Sequence, residues 1–311
     1  MYRVTTNGNY NLVLSNIMLA QQKQMDAGNK VATQKNGSNL KEYAPHAEML
    51  TAMRSVESRL GGYLDQNKLI ADKLTTQDFA LTQLHDSAAG AKQAIEEAIA
   101  TGRTDTLMQE IEAQFRNAVS ALNSRYGGKY LFAGGKIDTQ PVNADALSDL
   151  TDPATPLISD FFDNDDFITE HKVDDATIVK TGLLADKIGA PLMVAFKALQ
   201  AFEEGPDGPF TGNMTDAQRT FLEGELSNVW DKVASDIVDV TARNGMVQAR
   251  VDNVKEDLVA RQNSLKGMIG DIVDADMPTA SVELEKATIA LQASTQVFLT
   301  LRDSSLLNAL K

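Results

Sequence analysis

Apolar residues recur along this chain at alternating steps of three and four, which is the spacing of one face of an α-helix. The first such array has fourteen positions, and twelve of them are apolar, counting Ala and Tyr. Its members are Met53, Val56, Leu60, Tyr63, Asn67, Ile70, Leu74, Gln77, Leu81, Leu84, Ala88, Ala91, Ile95 and Ala98. The array predicts a single helix roughly 70 Å long.

A second array of the same length begins at Leu226, and again twelve of fourteen positions fit. Its other members are Trp230, Val233, Ile237, Val240, Asn244, Val247, Val251, Val254, Leu258, Arg261, Leu265, Met268 and Ile272. A shorter helix is predicted around Phe115, after a turn at Thr101 and Gly102. Because two stripes of equal length can cover each other, we expect an antiparallel bundle built from distant parts of the sequence.

The two ends of the chain carry thinner stripes. Near the N-terminus the alternation passes through Tyr10, Val13, Ile17, Ala20, Gln24, Ala27 and Val31. Near the C-terminus Leu284, Leu291 and Phe298 recur every seven residues, with Ala287, Ser294 and Leu301 three positions further on. A helix held by so weak a stripe is marginal alone in water, so we expect both ends to order fully only against other copies or partners.

The middle of the chain has a different character. Six of the eight prolines lie between 141 and 209. The stretch from Asp138 to Asp175 contains eleven acidic residues and only one basic residue, a lysine. Proline breaks helix interiors, so this part is not one long helix. Residues 167–173 and 177–181 are predicted to pair as a small hairpin. A short helix is predicted from Pro191, with Phe196 and Leu199 on its apolar face.

These patterns predict a mainly α fold: an elongated antiparallel helical bundle with coiled-coil termini and a small mixed α/β or β-containing insertion. Three parts are expected. Residues 1–48 with 276–311 form terminal helices that pair on assembly, and residues 49–140 with 210–275 form a discontinuous helical rod. Residues 141–209 form an acidic, outward-facing insertion.

The composition excludes several kinds of function. A net charge of -14 and a pI near 4.7 argue against nucleic acid as a partner, because phosphate repels such a surface. The absence of cysteine excludes disulfides and thiolate chemistry. No segment approaches the apolar length that spans a membrane, and the first residues do not read as a cleavable secretory signal.

No catalytic or metal-binding pattern is evident in the sequence. The histidines His46, His85 and His171 are far apart, and the acidic run 163–166 lacks the later ligands and the glycine of a calcium loop. Gly134 and Gly135 before Lys136 do not match a phosphate-binding loop. We therefore expect no enzyme activity, no cofactor and no metal. A chain with adhesive ends and no chemical site is typical of a polymer subunit.

Several segments resemble the bacterial flagellin superfamily. Residues 287–298 (ATIALQASTQVF) and 304–308 (SSLLN) resemble the C-terminal helix of flagellins. Residues 126–135 (YGGKYLFAGG), followed by 138–141 (DTQP), are most similar to a segment of flagellar hook–filament junction proteins, which are hook-associated proteins adjoining flagellin. Residues 244–248 (NGMVQ) fit the same family. The resemblance covers both flanks and leaves the middle unmatched.

The resemblance implies a secreted, extracellular structural subunit of the bacterial flagellum that leaves the cell by flagellar type III export. Its implied partners are its own copies, a neighbouring hook-associated protein, flagellin and a flagellar export chaperone, with no nucleic acid and no membrane insertion. Both termini would pair as helices inside a tubular assembly. The candidate assembly interface consists of Tyr10, Val13, Ile17, Leu284, Leu291, Phe298, Leu301, Leu306 and Leu307.

Three alternatives stay open beside an adapter at the hook–filament junction. A flagellin filament subunit would use the same ends. A cell-surface binding module would use the acidic insertion to capture a polymer or a cation. An intracellular coiled-coil signalling protein is the third, and the poor terminal stripes disfavour it.

Overall fold

A computed structural model describes the backbone of residues 3–309 and the side chains of residues 11–224 and 229–302. The helices of this part are α1 (Arg3–Thr33), α2 (Ala47–Thr101), α3 (Leu107–Leu122), α4 (Ala185–Glu203), α5 (Asp216–Phe221), α6 (Ser227–Val273) and α7 (Met277–Ala309). Two antiparallel hairpins pair β1 (Arg125–Tyr126) with β2 (Lys129–Tyr130), and β3 (Glu170–Lys172) with β4 (Ile178–Lys180). The predicted mainly α fold with a small β-containing part is confirmed.

The chain divides into two compact units. The terminal unit contains Met1–Gly61 and Ala260–Lys311, and the central unit contains Gly62–Val259. Helices α2 and α6 contribute residues to both units. The three-part division with limits at 141 and 209 stays a prediction.

In the terminal unit, the segment after α1 is tied to the segment before α7. The N–H of Asn36 donates to the carbonyl of Val273 at 2.8 Å, and its side-chain amide donates to the carbonyl of Asp274 at 2.8 Å. The hydroxyl of Tyr43, a buried side chain, donates to the carbonyl of Gly37 at 2.9 Å. Tyr43, Leu50 and Val273 then form a small apolar cluster. Residues that are far apart in sequence therefore close this unit.

In the central unit, α2 and α6 run antiparallel. Asn244 of α6 donates to the carbonyl of Leu74 at 3.1 Å, and Asp231, earlier in α6, pairs with Lys92, later in α2. Every predicted stripe position of α2 from Ile70 to Ala98 is buried. In the terminal unit the stripe positions Val56 and Met268 are exposed, since two helices cover less of each other than three packed elements do.

One apolar core joins the helices of the central unit to the middle of the sequence. Phe196 of α4 is fully buried, with its ring 5.5 Å from that of Phe115 and 5.1 Å from that of Trp230, both in edge-to-face geometry. This cluster also contains Leu147 and Leu192, so the proline-rich segment and the long helices share a core. The predicted turn between α2 and α3 lies at Gly102, whose φ of 67° suits glycine.

The predicted pairing of residues 167–173 with 177–181 is confirmed by β3 and β4, in which Glu170 pairs with Lys180 and Lys172 with Ile178. The hairpin packs on the stripe face of α2 and on α6. Its Val173 and Val179 lie in a small cluster whose other buried members are Ile70, Leu74 and Val251. Over this stretch the hairpin takes the place that α3 occupies further along α2.

The two polar positions of the α2 stripe are explained by this hairpin. The amide of Asn67 donates to the carbonyl of Val173 at 2.9 Å, and the amide of Gln77 donates to the carbonyl of Thr181 at 3.1 Å. Both side chains are fully buried. Each of them satisfies a hairpin carbonyl that an apolar residue would leave without a donor.

The Ala133–Gly135 turn depends on the acidic run that follows it. The N–H of Gly135 donates to Oδ1 of Asp165 at 2.7 Å, and a Cβ on Gly134 would lie 2.2 Å from the same atom. Gly134 also has a φ of 67°. The N–H groups of Gly135 and Phe167 stabilise the carboxylate and lower the pKa of Asp165. This carboxylate therefore closes a turn.

A pH dependence is expected at His171, on the face of the hairpin turned towards α2. Burial and the Lys73 ammonium hold the pKa of His171 below its ordinary value of 6.5. The unfolded chain therefore takes up this proton more readily, and stability present above that value is lost as the pH falls through it. We expect the urea midpoint to fall between about pH 7 and about pH 5, and to fall less in His171→Phe. An equal fall in both proteins would contradict this assignment.

Candidate assembly surface

Small side chains form the seam between α1 and α7. Ala20 and Ala27 of α1 are buried, as are Ala280 and Ala287 of α7. Residues of this size allow two helix backbones to approach closely. Ala20, Ala27 and Ala287 lie on the stripes predicted for the two ends, and Ala280 extends the C-terminal stripe by seven residues.

Two polar contacts accompany the seam. The side-chain amide of Gln24 donates to Oγ1 of Thr288 at 3.2 Å. Lys30 and Glu283 form an ion pair at 3.1 Å, with both side chains partly exposed. An ion pair in this setting contributes only about 0.2–1 kcal/mol, so these contacts fix the register of the helices more than they hold them together.

The predicted interface residues fall into two sets. Those whose side chains are described are half-buried and lie on the seam side of their helices: Val13, Ile17, Leu284, Leu291, Phe298 and Leu301. Tyr10, Leu306 and Leu307 lie outside the residues whose side chains are described. Part of the surface of each residue in the first set is therefore covered by the α1–α7 pairing within the chain. Its role between copies stays a prediction.

A second group of apolar residues lies away from the seam. On α1, Leu12 and Leu19 are 62% and 53% exposed on one flank, and Met18 is 63% exposed on the other. On α7, Val282 and Ile289 are exposed seven residues apart on the face opposite the seam. Apolar residues that surround a helix are typical of one that is covered on several sides. Sequence reasoning missed this group, although its signal was present in the apolar residues between the stripe positions.

Charge is distributed unevenly between the two units. The terminal unit has 12 Lys and Arg against 10 Asp and Glu, whereas the central unit has 17 against 33. Copies can pack closely only where like charges do not accumulate. The terminal unit is therefore suited to dense self-association, and the central unit is suited to solvent.

One groove of the described surface lies beside the seam. Its volume is about 400 Å³, and it is lined by alanines and by charged residues such as Lys30 and Glu283, with no histidine or serine. Among the residues that the structure describes, no three His, Asp or Glu side chains are grouped to hold a metal ion. No described helix has the length and apolar character needed to cross a membrane.

Ala287→Leu is expected to destabilise the α1–α7 pair. Ala287 is buried in a seam of small side chains, where a leucine would push the two helices apart, and such overpacking costs about 1–3 kcal/mol. Urea unfolding followed by far-UV circular dichroism would measure this loss. The matched control is Ala293→Leu, an exposed position of the same helix. Equal stability of the two variants would contradict the close seam.

Comparison with known proteins finds a family match for the N-terminal and the C-terminal part of the chain. Residues 4–136 match the bacterial flagellin N-terminal helical region, and residues 228–310 match the bacterial flagellin C-terminal helical region. No curated protein matches the chain. The two matched regions contain all of the exposed apolar residues described above for α1 and α7.

Solved structures of similar fold come from three bacteria. A putative flagellar hook-associated protein from Vibrio parahaemolyticus is 15% identical, with a TM-score of 0.59 over 72% of this chain and 96% of that one. FlgL of Bacillus cereus is 14% identical, with a TM-score of 0.53 over 71% and 99%. FlgL of Xanthomonas campestris is 13% identical, with a TM-score of 0.51 over 70% and 98%.

The family regions lie at both ends of the chain, where the structure pairs α1 with α7. The surface that they form is apolar on several sides and nearly balanced in charge. Such a surface is suited to contact with other protein surfaces. This chain is a structural component of the bacterial flagellum and belongs to the bacterial flagellin superfamily.

Proposed function

We propose that this protein is the adapter at the hook–filament junction. It leaves the cell through flagellar type III export, accompanied by an export chaperone, and assembles through its N- and C-terminal helices. Its neighbours are other copies of the same chain, a second hook-associated protein and flagellin. Residues 141–209 face outward.

The observation that carries this proposal is the exposed apolar group on α1 and α7. Val282 and Ile289 repeat at the seven-residue spacing of helix–helix contacts, yet they point away from the helix with which α7 pairs. Exposed apolar residues that lie together on a surface mark a site of interaction with other proteins. A subunit surrounded by neighbours buries them.

The adapter role, as opposed to the filament role, rests on the similar structures. The three described above are named as hook-associated proteins or FlgL, and the similarity covers 96–99% of their lengths. The segment 126–135 supports the same choice through its resemblance to hook–filament junction proteins.

Immunogold labelling of isolated hook–filament structures tests the proposal. An antibody against the central unit is expected to label one narrow band where the filament meets the hook. Label along the whole filament would contradict the adapter role and show that the protein is a filament subunit. Absence of label from the purified structures, with the protein present in the medium, would contradict both assembly roles.

A further inference from the structure

The contact between the β3–β4 hairpin and α2 contains most of the unsatisfied polar atoms of the described chain. Among the side chains that the structure describes, six buried nitrogen or oxygen atoms have no hydrogen-bond partner within the protein. Four of them lie at this contact, on Asn67, Gln77, His171 and Thr181. A buried polar atom without a partner destabilises the arrangement that buries it.

Each side-chain amide at this contact donates a hydrogen bond but accepts none. Asn67 and Gln77 donate to hairpin carbonyls, as described above, but Oδ1 of Asn67 and Oε1 of Gln77 accept nothing. When the hairpin leaves, water can hydrogen-bond to both amide oxygens and to both carbonyls. These two amide contacts therefore give little net stability to the docked state, beside the hydrogen bond that the hydroxyl of Tyr63 donates to Asp175 at 3.1 Å.

The apolar part of the contact is small. The hairpin contributes two buried valines, Val173 and Val179, to its cluster. By comparison, α4 contributes Phe196 and Leu192, among others, to a core in which three aromatic rings touch. Local stability follows buried apolar contact, so the hairpin is held less firmly than α4 is.

We infer that residues 169–182, the clip, detach from α2 and α6 as a unit while the aromatic core of the central unit stays folded. The docked clip covers Ile70, Leu74 and Val251, and the open clip bares them. The bundle thus has a second state in which part of its apolar stripe is accessible. The weak polar contacts set how often this state forms.

Native-state hydrogen exchange on the full chain, read by mass spectrometry, tests this inference. Backbone amides of β3 and β4 are expected to exchange roughly tenfold faster than those of α3 and α4, before any global unfolding. Thr181→Val removes an orphaned hydroxyl at constant shape and leaves the backbone carbonyl that Gln77 contacts. This variant is expected to slow exchange in the clip alone.

Thr104→Val is the matched control, because its hydroxyl is also buried without a partner but lies outside the clip. It is expected to leave exchange in β3 and β4 unchanged. Asn67→Ala removes a donor to the clip and is expected to speed that exchange. Exchange in β3 and β4 at the rate of α3 and α4, or an equal response to both valine variants, would overturn the inference.

Discussion

Phe196→Ala is expected to lower the free energy of unfolding of the central unit by about 3–5 kcal/mol, enough to threaten its folding. The side chain is fully buried, and its ring contacts Phe115 of α3 and Trp230 of α6. Truncation leaves a cavity at a point where three helices meet, and none of them can close it without disturbing the other two. Urea denaturation followed by the fluorescence of the single tryptophan measures the change at the site itself.

Phe79→Ala is the matched control for this experiment. Phe79 belongs to α2 in the same unit but is 72% exposed, so its truncation leaves no cavity. We expect a change within about 0.5 kcal/mol. If Phe196→Ala caused no larger change than the control, the middle of the sequence would have a core separate from that of the long helices.

Ile289→Asp is expected to abolish motility while leaving the monomer folded. The side chain is 58% exposed, so a carboxylate there meets water in the free protein. In the proposed assembly the same position is covered by a neighbouring subunit, and burial of an unpaired charge costs several kcal/mol. Swimming in soft agar measures the effect, and an immunoblot of the medium shows that the variant is exported.

Gln292→Asp is the control for charge, since it introduces the same carboxylate on α7 at an exposed position that carries no apolar residue. This variant is expected to swim better than Ile289→Asp. Circular dichroism of both purified proteins checks that the helices are intact. Normal motility with Ile289→Asp at wild-type abundance would remove Ile289 from the assembly surface.

The long helices were predictable because one periodic signal extends over many turns. From Ile70 to Ala98 each predicted position of α2 is buried, and the pairing of α2 with α6 follows from two stripes of equal length. The third element that packs on α2, beside α6, was not predictable. Asn67 and Gln77 were irregularities in the pattern, and only the structure shows that a hairpin with strands of three residues meets them.

The candidate surface was predictable in part. The stripes of α1 and α7 follow from helical spacing, and Val13, Ile17 and Leu284 are half-buried at the positions that this spacing gives; their role between copies stays a prediction. A periodic pattern identifies the face of a helix that is most buried. It does not show whether a second face is also covered by another protein. Leu12, Leu19 and Ile289 were therefore overlooked, because their exposure is visible only once α1 and α7 have been paired.

The tie between Asn36 and Val273, together with the pairing of α1 and α7, also has a consequence in time. Gln24 and Thr288, which bond across the seam, are 264 residues apart in the chain. A chain that emerges with its N-terminus first exposes α1 long before α7. Helix α1 is therefore without its partner helix until the C-terminal residues have emerged. The central unit can form meanwhile from residues between the two. The terminal unit is thus the last part to close, and the proposed assembly surface is complete only when the last residues of the chain have emerged.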